Sequence, residues 1–248
     1  MSPISGWALA AGARTTWHRF REGADALPPG AWTRWLGTLA LGTGLAVGVA
    51  VALVLIGQSQ AEVWMAAWDE AALRRVVDGG PLSFNGGIWW ESPGNSVVLI
   101  ALLLAALVIA ARARRPLLAL SFPLAYLGSK LLTQTAWALW SRSRPDFVAD
   151  GVASMGLHSY PSGHVVSVLG AYGLLAYLWS ERSESTVERG VAVLLVLALA
   201  SVVGLARLRL GAHWPSDVLA AFVLGSVWAV VLVVALRRGE AAPSPQPE

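Results

Sequence analysis

Three short polar clusters beside hydrophobic segments of this chain contain side chains suited to phosphate chemistry. They supply two histidines, one carboxylate, two arginines and a hydroxyl next to a glycine: Arg144-Pro145, then Pro161-Ser162-Gly163-His164, then Arg207, His213 and Asp217. One imidazole can attack phosphorus, a second can transfer protons, and guanidinium groups bind phosphate oxygens. The inventory favours a site that cleaves a phosphate ester through a phosphorylated histidine.

His213 and Asp217 have the spacing of two side chains on one side of a helical turn. Pro215 suits the first turn of a helix, where its missing N–H costs nothing. A carboxylate that holds one imidazole nitrogen fixes the tautomer and leaves the other nitrogen free to attack. Considered alone, the pair is better explained as an interfacial histidine beside an unrelated aspartate, so its meaning depends on the other clusters.

The second cluster is predicted to open a helix, where free N–H groups and the helix dipole attract anions. Gly163 lets a phosphate approach the backbone closely, the Ser162 hydroxyl adds a donor, and His164 can transfer a proton. A generic helix cap explains Pro161 and Ser162 but leaves His164 without a role.

Two arginines are predicted to grip the phosphate. Arg144 follows the third apolar run and Arg207 ends the fifth, and guanidinium forks bind phosphate oxygens in bidentate fashion and stay charged. Arg142 and Arg209 fit the simpler role of side chains that reach lipid headgroups from the ends of membrane spans.

A metal site is the alternative use of the same residues. His164, His213 and Asp217 form a possible ligand set, but several arginines around them would repel a cation. The chain has no cysteine, which excludes thiolate ligands and disulfides. We therefore expect an anion site without a metal or another cofactor.

The composition is typical of an integral membrane protein. Of 248 residues, 56% are hydrophobic and only 13% are charged, whereas soluble domains carry about a quarter charged residues. The formal charge of +3 comes from arginines spread between apolar runs, together with a single lysine, Lys130. The sequence has no basic stripe with interleaved aromatic residues, so nucleic-acid binding is not expected.

Six apolar runs predict an all-α polytopic membrane protein with a six-transmembrane-helix bundle, because about 20 apolar residues cross the hydrocarbon core. The runs are Trp35–Ile56, Gly94–Ala111, Pro116–Trp140, Gly163–Trp179, Gly190–Leu205 and Pro215–Leu236. Residues 1–34 are expected to form a cytoplasmic segment without a cleaved signal peptide, residues 35–238 the membrane domain, and residues 239–248 a disordered tail.

The arginines predict the orientation of the bundle. With a cytoplasmic N-terminus, eleven arginines fall on the cytoplasmic side: Arg14, Arg19, Arg21, Arg34, Arg112, Arg114, Arg115, Arg182, Arg189, Arg237 and Arg238. Six fall on the other side: Arg74, Arg75, Arg142, Arg144, Arg207 and Arg209. This distribution obeys the positive-inside rule and brings all three polar clusters to the extracytoplasmic face.

The loop Gly57–Pro93 joins the first two predicted spans on that face. Opposite Glu62, Asp69, Glu70 and Arg74, it carries apolar residues at helical spacing: Val63, Trp64, Ala67, Trp68, Ala71, Ala72 and Val76. The pattern predicts an amphipathic helix in the membrane interface, with Asp69 on its polar face. An ordinary covering loop and a substrate-guiding loop fit it equally well.

In order along the chain, the clusters resemble the three-part signature of the type 2 phosphatidic acid phosphatase superfamily, which includes lipid phosphate phosphatases and relatives of vanadium haloperoxidases. That signature reads Lys-x6-Arg-Pro, Pro-Ser-Gly-His and Ser-Arg-x5-His-x3-Asp. The resemblance covers the third to sixth apolar runs, roughly Lys130 to Leu236. The Arg-Pro pair alone carries little information, whereas the second and third motifs in this order are highly specific.

The resemblance implies a role for each matching residue. His213 would be the nucleophile that takes the phosphoryl group, and Asp217 would orient it and stabilise its positive charge. His164 would protonate the departing alkoxide and then activate water. The phosphate oxygens would be held by Arg144, Arg207, Ser162 and the Gly163 amide. The family implies no metal.

The chain departs from the signature at two positions. Ala206 stands at the serine of the third motif, and we expect little consequence. Trp137 stands at the lysine of the first motif, while Lys130 lies seven residues earlier, about 10 Å deeper along a helix. Three alternatives are equally compatible with the sequence: Arg142 replaces the missing cation, Lys130 replaces it, or no residue does. The change affects the expected phosphate affinity or substrate choice.

The leading expectation is a membrane phosphatase that hydrolyses a lipid phosphate or diphosphate at the outer leaflet, with a polyprenyl diphosphate or a phospholipid phosphate as substrate. The Ala/Arg/Trp-rich composition hints at a bacterial plasma membrane. One alternative is a phosphotransferase, in which another alcohol takes the phosphate from His213. The other is a catalytically impaired lipid-binding or transport protein, as Trp137 would suggest. Nothing beyond the anion site favours a haloperoxidase.

Overall fold

The computed structural model describes residues 3–80, 82–148 and 158–241. Within these ranges the chain is helical and contains no strand. The α-helices are α1 (Pro3–Asp25), α2 (Ala31–Gln60), α3 (Ala66–Gly79), α4 (Phe84–Glu91), α5 (Ser96–Arg112), α6 (Pro116–Leu139), α7 (Gly163–Arg182), α8 (Thr186–Arg209) and α9 (Pro215–Glu240). A π-helical turn, Ala61–Met65, links α2 to α3, and a 3-10 turn, Ser92–Gly94, precedes α5.

Six helical stretches are long and apolar enough to cross a membrane. They are Ala31–Gly79, Phe84–Arg112, Pro116–Leu139, Gly163–Arg182, Thr186–Arg209 and Pro215–Glu240. The prediction of an all-α protein with six membrane-spanning helices is therefore confirmed, and the chain is an integral membrane protein.

Helix α9 is central to the bundle, in contact with α2, α6 and α7, while α5 packs on α6 and α8 on α7. The closest approach joins α6 to α9 at Gly128, where a Cβ atom would overlap the ring of Trp228. The Trp228 indole N–H donates to the Ala125 carbonyl at 3.1 Å, which satisfies the polar edge of a buried ring. Small residues on α6 thus allow an aromatic contact between spans.

The up-and-down order of the last four spans brings the end of α6, the start of α7, the end of α8 and the start of α9 to one end of the bundle. A left-handed glycine shapes the α8–α9 connection. Gly211 has φ +65°, its N–H bonds to Leu208 O, and the Ala212 N–H bonds to Arg207 O at 3.0 Å. This pattern closes α8 tightly and turns the chain toward His213.

The opposite end of the bundle is held by ion pairs. Arg115, before α6, bonds to Glu181 on α7 and to Glu240 on α9, each at 2.8 Å. Arg34 on α2 donates to the carbonyl oxygens of Arg238 and Ala241 near the end of α9. These contacts tie together the ends of four spans that lie away from the polar clusters.

The connection between the first two predicted spans, residues 57–93, differs from its prediction at Asp69. Helix α3 forms, but it packs against α8 and α9 and buries Asp69 and Leu73, while Trp64 and Trp68 stay exposed. The expectation that Asp69 lies on a water-facing side is wrong, because its carboxylate is fully buried and has polar partners inside the protein.

The two ends of the chain extend the helical pattern. Within residues 1–34, predicted to be a cytoplasmic segment, α1 contacts α5 and α6, and α2 already begins at Ala31. Helix α9 continues through Gly239 and Glu240, the first residues of the predicted disordered tail. The prediction for residues 242–248 lies outside the described residues.

Candidate active site

The His213 imidazole is buried in the turn between α8 and α9, with 2% of its surface exposed. Its Nδ1 atom lies 2.8 Å from the carbonyl oxygen of Ser159 and 3.5 Å from Oδ2 of Asp217. Donation of Nδ1–H to a carbonyl leaves Nε2 as the basic nitrogen of the neutral ring. The nearer acceptor is thus a backbone carbonyl that the sequence did not indicate, and Asp217 is the second.

Asp217 sits in the first turn of α9, where a carboxylate also stabilises the helix. Its Oδ2 accepts the Trp214 N–H at 2.8 Å, and its Oδ1 accepts from Arg142 at 2.6 Å. The backbone carbonyl of Asp217 accepts the Ser162 N–H at 3.1 Å. Asp217 therefore connects the second and third sequence clusters directly.

Arg142 was one of the candidates for the missing cation, and its guanidinium is directed at carboxylates. Nη1 donates to Asp217 and to Ser216 Oγ at 2.6 and 2.7 Å, and Nη2 donates to Asp69 at 2.6 Å. Its Cζ lies 5.3 Å from the Trp140 ring centroid and 5.6 Å from that of Trp214. This geometry fits a role within the protein framework better than phosphate binding.

Ser162 precedes α7 but does not cap it through its side chain. The hydroxyl is fully buried and has no hydrogen-bond partner within the described part of the chain. A buried polar group without a partner is costly, and such groups mark sites where a ligand or water completes the bonding. The alternative role of Ser162 as a generic helix-capping residue therefore does not fit the structure.

Arg144 and Arg207 bring two positive charges to the same pocket. Burial, followed by the positive charge of Arg207, lowers the pKa of Arg144. Arg207 is buried, and its guanidinium pairs with Glu91 at the end of α4. An anion near two like charges held out of water lowers their repulsion, and the Glu91 carboxylate supplies negative charge to Arg207.

Burial is also the main influence on His213. It lowers the pKa of the ring, helped by the charges of Arg207 and Arg144, and the interaction with Asp217 opposes the shift. The neutral form, which is the form that can attack phosphorus, therefore prevails at neutral pH.

His164 lies in the first turn of α7, and its Nε2 is 3.0 Å from Oδ1 of Asn95. Asn95 immediately precedes α5, and sequence reasoning did not single it out. The charges of His213, Arg207, Arg144 and Lys130 all act on His164. The two imidazoles are therefore neighbours in one site.

Trp137 occupies the position of the first-motif lysine without supplying a charge. Its indole N–H donates to the Pro161 carbonyl at 3.2 Å, and its ring stacks on His158 at 6.2 Å between centroids. Lys130, the other candidate for the missing cation, has its Nζ 5.1 Å from the centroid of the Tyr126 ring.

The structure thus brings His164, His213, Asp217, Arg144 and Arg207 within electrostatic reach of one another, and Ser162 bonds through its backbone N–H to Asp217. Sequence reasoning missed Asp69, Glu91, Asn95 and the carbonyl of Ser159, each of which bonds to a residue of that set or to Arg142. In the described ranges, no three His, Asp or Glu side chains form a metal-ligating group. Both oxygens of Asp217 are already bound by protein donors.

Comparison with known proteins agrees with the family resemblance and the fold. The PAP2 superfamily model matches residues 118–239. The fold resembles the crystal structure of the first transmembrane PAP2 type phosphatidylglycerolphosphate phosphatase from Bacillus subtilis. The TM-score is 0.64 at 22% identity, over 76% of this chain and 94% of that one. No curated protein matches the chain significantly. Residues 118–239, which match the model of the PAP2 superfamily, contain all three polar clusters, and this match confirms the resemblance drawn from the sequence motifs.

Proposed function

We propose that this protein hydrolyses a lipid phosphate or diphosphate without a metal, through a phosphorylated His213. Two observations carry the proposal: the charges of Arg144 and Arg207 act on each other and on both imidazoles, and the buried Ser162 hydroxyl has no hydrogen-bond partner in the described ranges. A phosphate dianion would account for both observations, because it would balance the positive charge of the guanidinium groups and accept a hydrogen bond from the Ser162 hydroxyl.

In the first step, Nε2 of His213 attacks phosphorus and the bond to the ester oxygen breaks. His164 gives a proton to the departing oxygen, so that an alcohol leaves rather than an alkoxide. The Nδ1–H of His213 remains bonded to the Ser159 carbonyl and near Asp217, which stabilises the cationic phosphoimidazole.

In the second step, water attacks phosphorus and the phosphorus–nitrogen bond breaks. His164, now neutral, accepts a proton from the water. Inorganic phosphate leaves and His213 returns to its neutral form. Throughout both steps, the phosphate oxygens are held by Arg144, Arg207, Ser162 and the Gly163 amide. Loss of a donor that stabilises charge in the transition state lowers the catalytic rate strongly.

The substrate is proposed to be a membrane lipid, because the site lies at the ends of membrane-spanning helices. A polyprenyl diphosphate and a phospholipid phosphate are both candidates. The related fold of the Bacillus subtilis phosphatidylglycerolphosphate phosphatase adds that lipid to the set to be tested. The excess of arginines at the other end of the bundle supports an extracytoplasmic site in a bacterial plasma membrane.

The test is phosphate release from a panel of polyprenyl diphosphate, phosphatidic acid and phosphatidylglycerol phosphate by the purified protein with EDTA present. His213→Ala should lower turnover by about 10³-fold or more. His18→Ala is the matched control, because His18 lies on α1 with an exposed side chain. Near-normal activity of the His213 variant would overturn the assignment of the nucleophile, and a phosphorylated second lipid as product would favour phosphoryl transfer.

A further inference from the structure

Three buried charges behind His213 form one ion cluster. Arg142 donates to Asp217 through Nη1 and to Asp69 through Nη2, each at 2.6 Å. Both carboxylates are fully buried, and the guanidinium is 11% exposed. Asp69 comes from the outer helix α3, Arg142 from the segment after α6, and Asp217 from α9.

The partners of Asp69 suit a buried carboxylate that keeps its charge. Besides Arg142, it accepts the Ser216 N–H at 2.8 Å and the Ser216 hydroxyl at 2.6 Å. Ser216 lies in the first turn of α9, where the helix dipole favours a negative charge. Charge-assisted bonds to three donors offset the desolvation of a buried anion.

Two carboxylates on one guanidinium leave this cluster with one net negative charge. If Asp69 were absent, Arg142 would cancel the charge of Asp217 on the side of the ring where His213 holds its proton. The ring becomes cationic when Nε2 takes a phosphoryl group while Nδ1–H stays in place. A net negative charge behind the ring therefore stabilises the phosphorylated state.

We propose that Asp69 is a positioning residue that neutralises Arg142, so that Asp217 keeps its negative charge for His213. This inference rests on the function proposed above. It assigns to the outer helix α3 an electrostatic part in the reaction, although α3 lies outside the three sequence clusters and contributes no group that touches phosphate.

His213 is otherwise surrounded mainly by positive charge. The titratable and charged groups that face it or the ion cluster come from several elements: Asp217 on α9, Arg207 on α8 with its partner Glu91 on α4, His164 on α7, Arg142, Arg144 and Tyr160 between α6 and α7, and Asp69 on α3. Glu91 is paired with Arg207, and burial raises the pKa of Tyr160 to about 12, so Asp69 and Asp217 are the carboxylates of this set that share Arg142.

The direct test is the titration of His213 followed by NMR of histidine-labelled, full-length protein. The chain has only four histidines, so His213→Ala assigns the signal. Asp69→Asn keeps the shape of the side chain but removes its charge, and it should lower the pKa of His213 by about half a unit or more. Glu70→Gln is the matched control, because it removes one negative charge from the same helix, α3, and Glu70 pairs with the exposed Arg74 rather than with Arg142.

The sign of the shift separates a charge effect from a loss of structure. Arg142→Gln should move the pKa of His213 upward, opposite to Asp69→Asn, and the double variant should return close to the wild-type value. A merely structural contact predicts instead that the double variant is at least as disturbed as either single one.

Activity gives the second readout. Asp69→Asn should lower kcat for lipid phosphate by about tenfold with KM changed much less, because the charge matters for the phosphorylated state rather than for phosphate binding. An unchanged His213 titration in Asp69→Asn would overturn the inference. Absence of turnover in the wild type would instead overturn the proposed function, and the NMR titration keeps these two failures apart.

Discussion

Asn95 and His164 form a polar contact across the site, with Oδ1 of Asn95 3.0 Å from Nε2 of His164. The contact joins the segment before α5 to the first turn of α7, 69 residues further along the chain. An acceptor at Nε2 orients the ring and keeps a proton on that nitrogen. Asn95 is thereby linked to the proton transfer proposed for His164.

Asn95→Ala is expected to lower kcat by about tenfold, less than the roughly 10²-fold or greater loss expected for His164→Ala. The loss should shrink when the leaving group is an acidic phenol, because such a group departs without needing a proton. Turnover of a lipid phosphate and of an aryl phosphate, measured on both variants, checks this prediction. An equal loss on both substrates would show that Asn95 does not act through proton transfer.

Glu91 is expected to compete with phosphate for Arg207, because its carboxylate pairs with that guanidinium. Glu91→Gln removes the competing charge, so inorganic phosphate should inhibit the variant at concentrations about threefold to tenfold lower. Inhibition constants for phosphate measure the effect. Glu62→Gln, on the π-helical turn between α2 and α3, serves as the control for an acidic residue of the same outer connection. A weaker inhibition in Glu91→Gln would mean that Glu91 supports the phosphate pocket instead.

The pH dependence of turnover follows from the burial of His213. Burial disfavours the imidazolium, so the pKa of His213 lies below its ordinary value of 6.5 and the nucleophile is neutral at pH 7. The rate should therefore stay high through pH 6.5 and fall only as the pH drops through the lowered pKa. Plots of kcat/KM against pH check this. Phosphate monoesters also titrate at about pH 6, so the fall in rate at low pH could come from the substrate. Histidine NMR identifies the titrating group. A His213 pKa above 6.5 would contradict the prediction.

The spans were predictable because apolar runs and helix-starting residues leave local signals, and the three polar clusters are visible in the sequence for the same reason. The predicted starts at Pro116, Gly163 and Pro215 coincide with the first residues of α6, α7 and α9, since proline and glycine mark helix N-termini. Helix α8 begins four residues before its apolar run, at Thr186, because Ser185 caps it and its first turn is polar. An apolar run predicts the part of a helix that lies in the hydrocarbon core, but not the polar helical turns on either side of it.

The supporting residues were not predictable, because each acts across a long sequence separation. Asp69 meets Ser216 over 147 residues, and Glu91 meets Arg207 over 116. In the sequence, Asp69 has the position of a residue on the polar face of an amphipathic helix. Only the contact of α3 with α8 and α9 turns that face inward, so tertiary structure overrides the local pattern.

Ser162 offers a test in which activity and stability should move apart. Its hydroxyl is fully buried without a partner in the described chain, so its removal costs the folded protein no hydrogen bond. Ser162→Ala should therefore unfold at the same temperature as the wild type or above it. If the hydroxyl donates to phosphate in the transition state, kcat/KM should nevertheless fall by about 10²-fold.

Ser129→Ala is the control, because Ser129 is equally buried but its hydroxyl donates to the Ala125 carbonyl at 2.7 Å. That variant should retain kcat/KM and lose stability, and full activity of Ser162→Ala would remove this serine from the phosphate pocket.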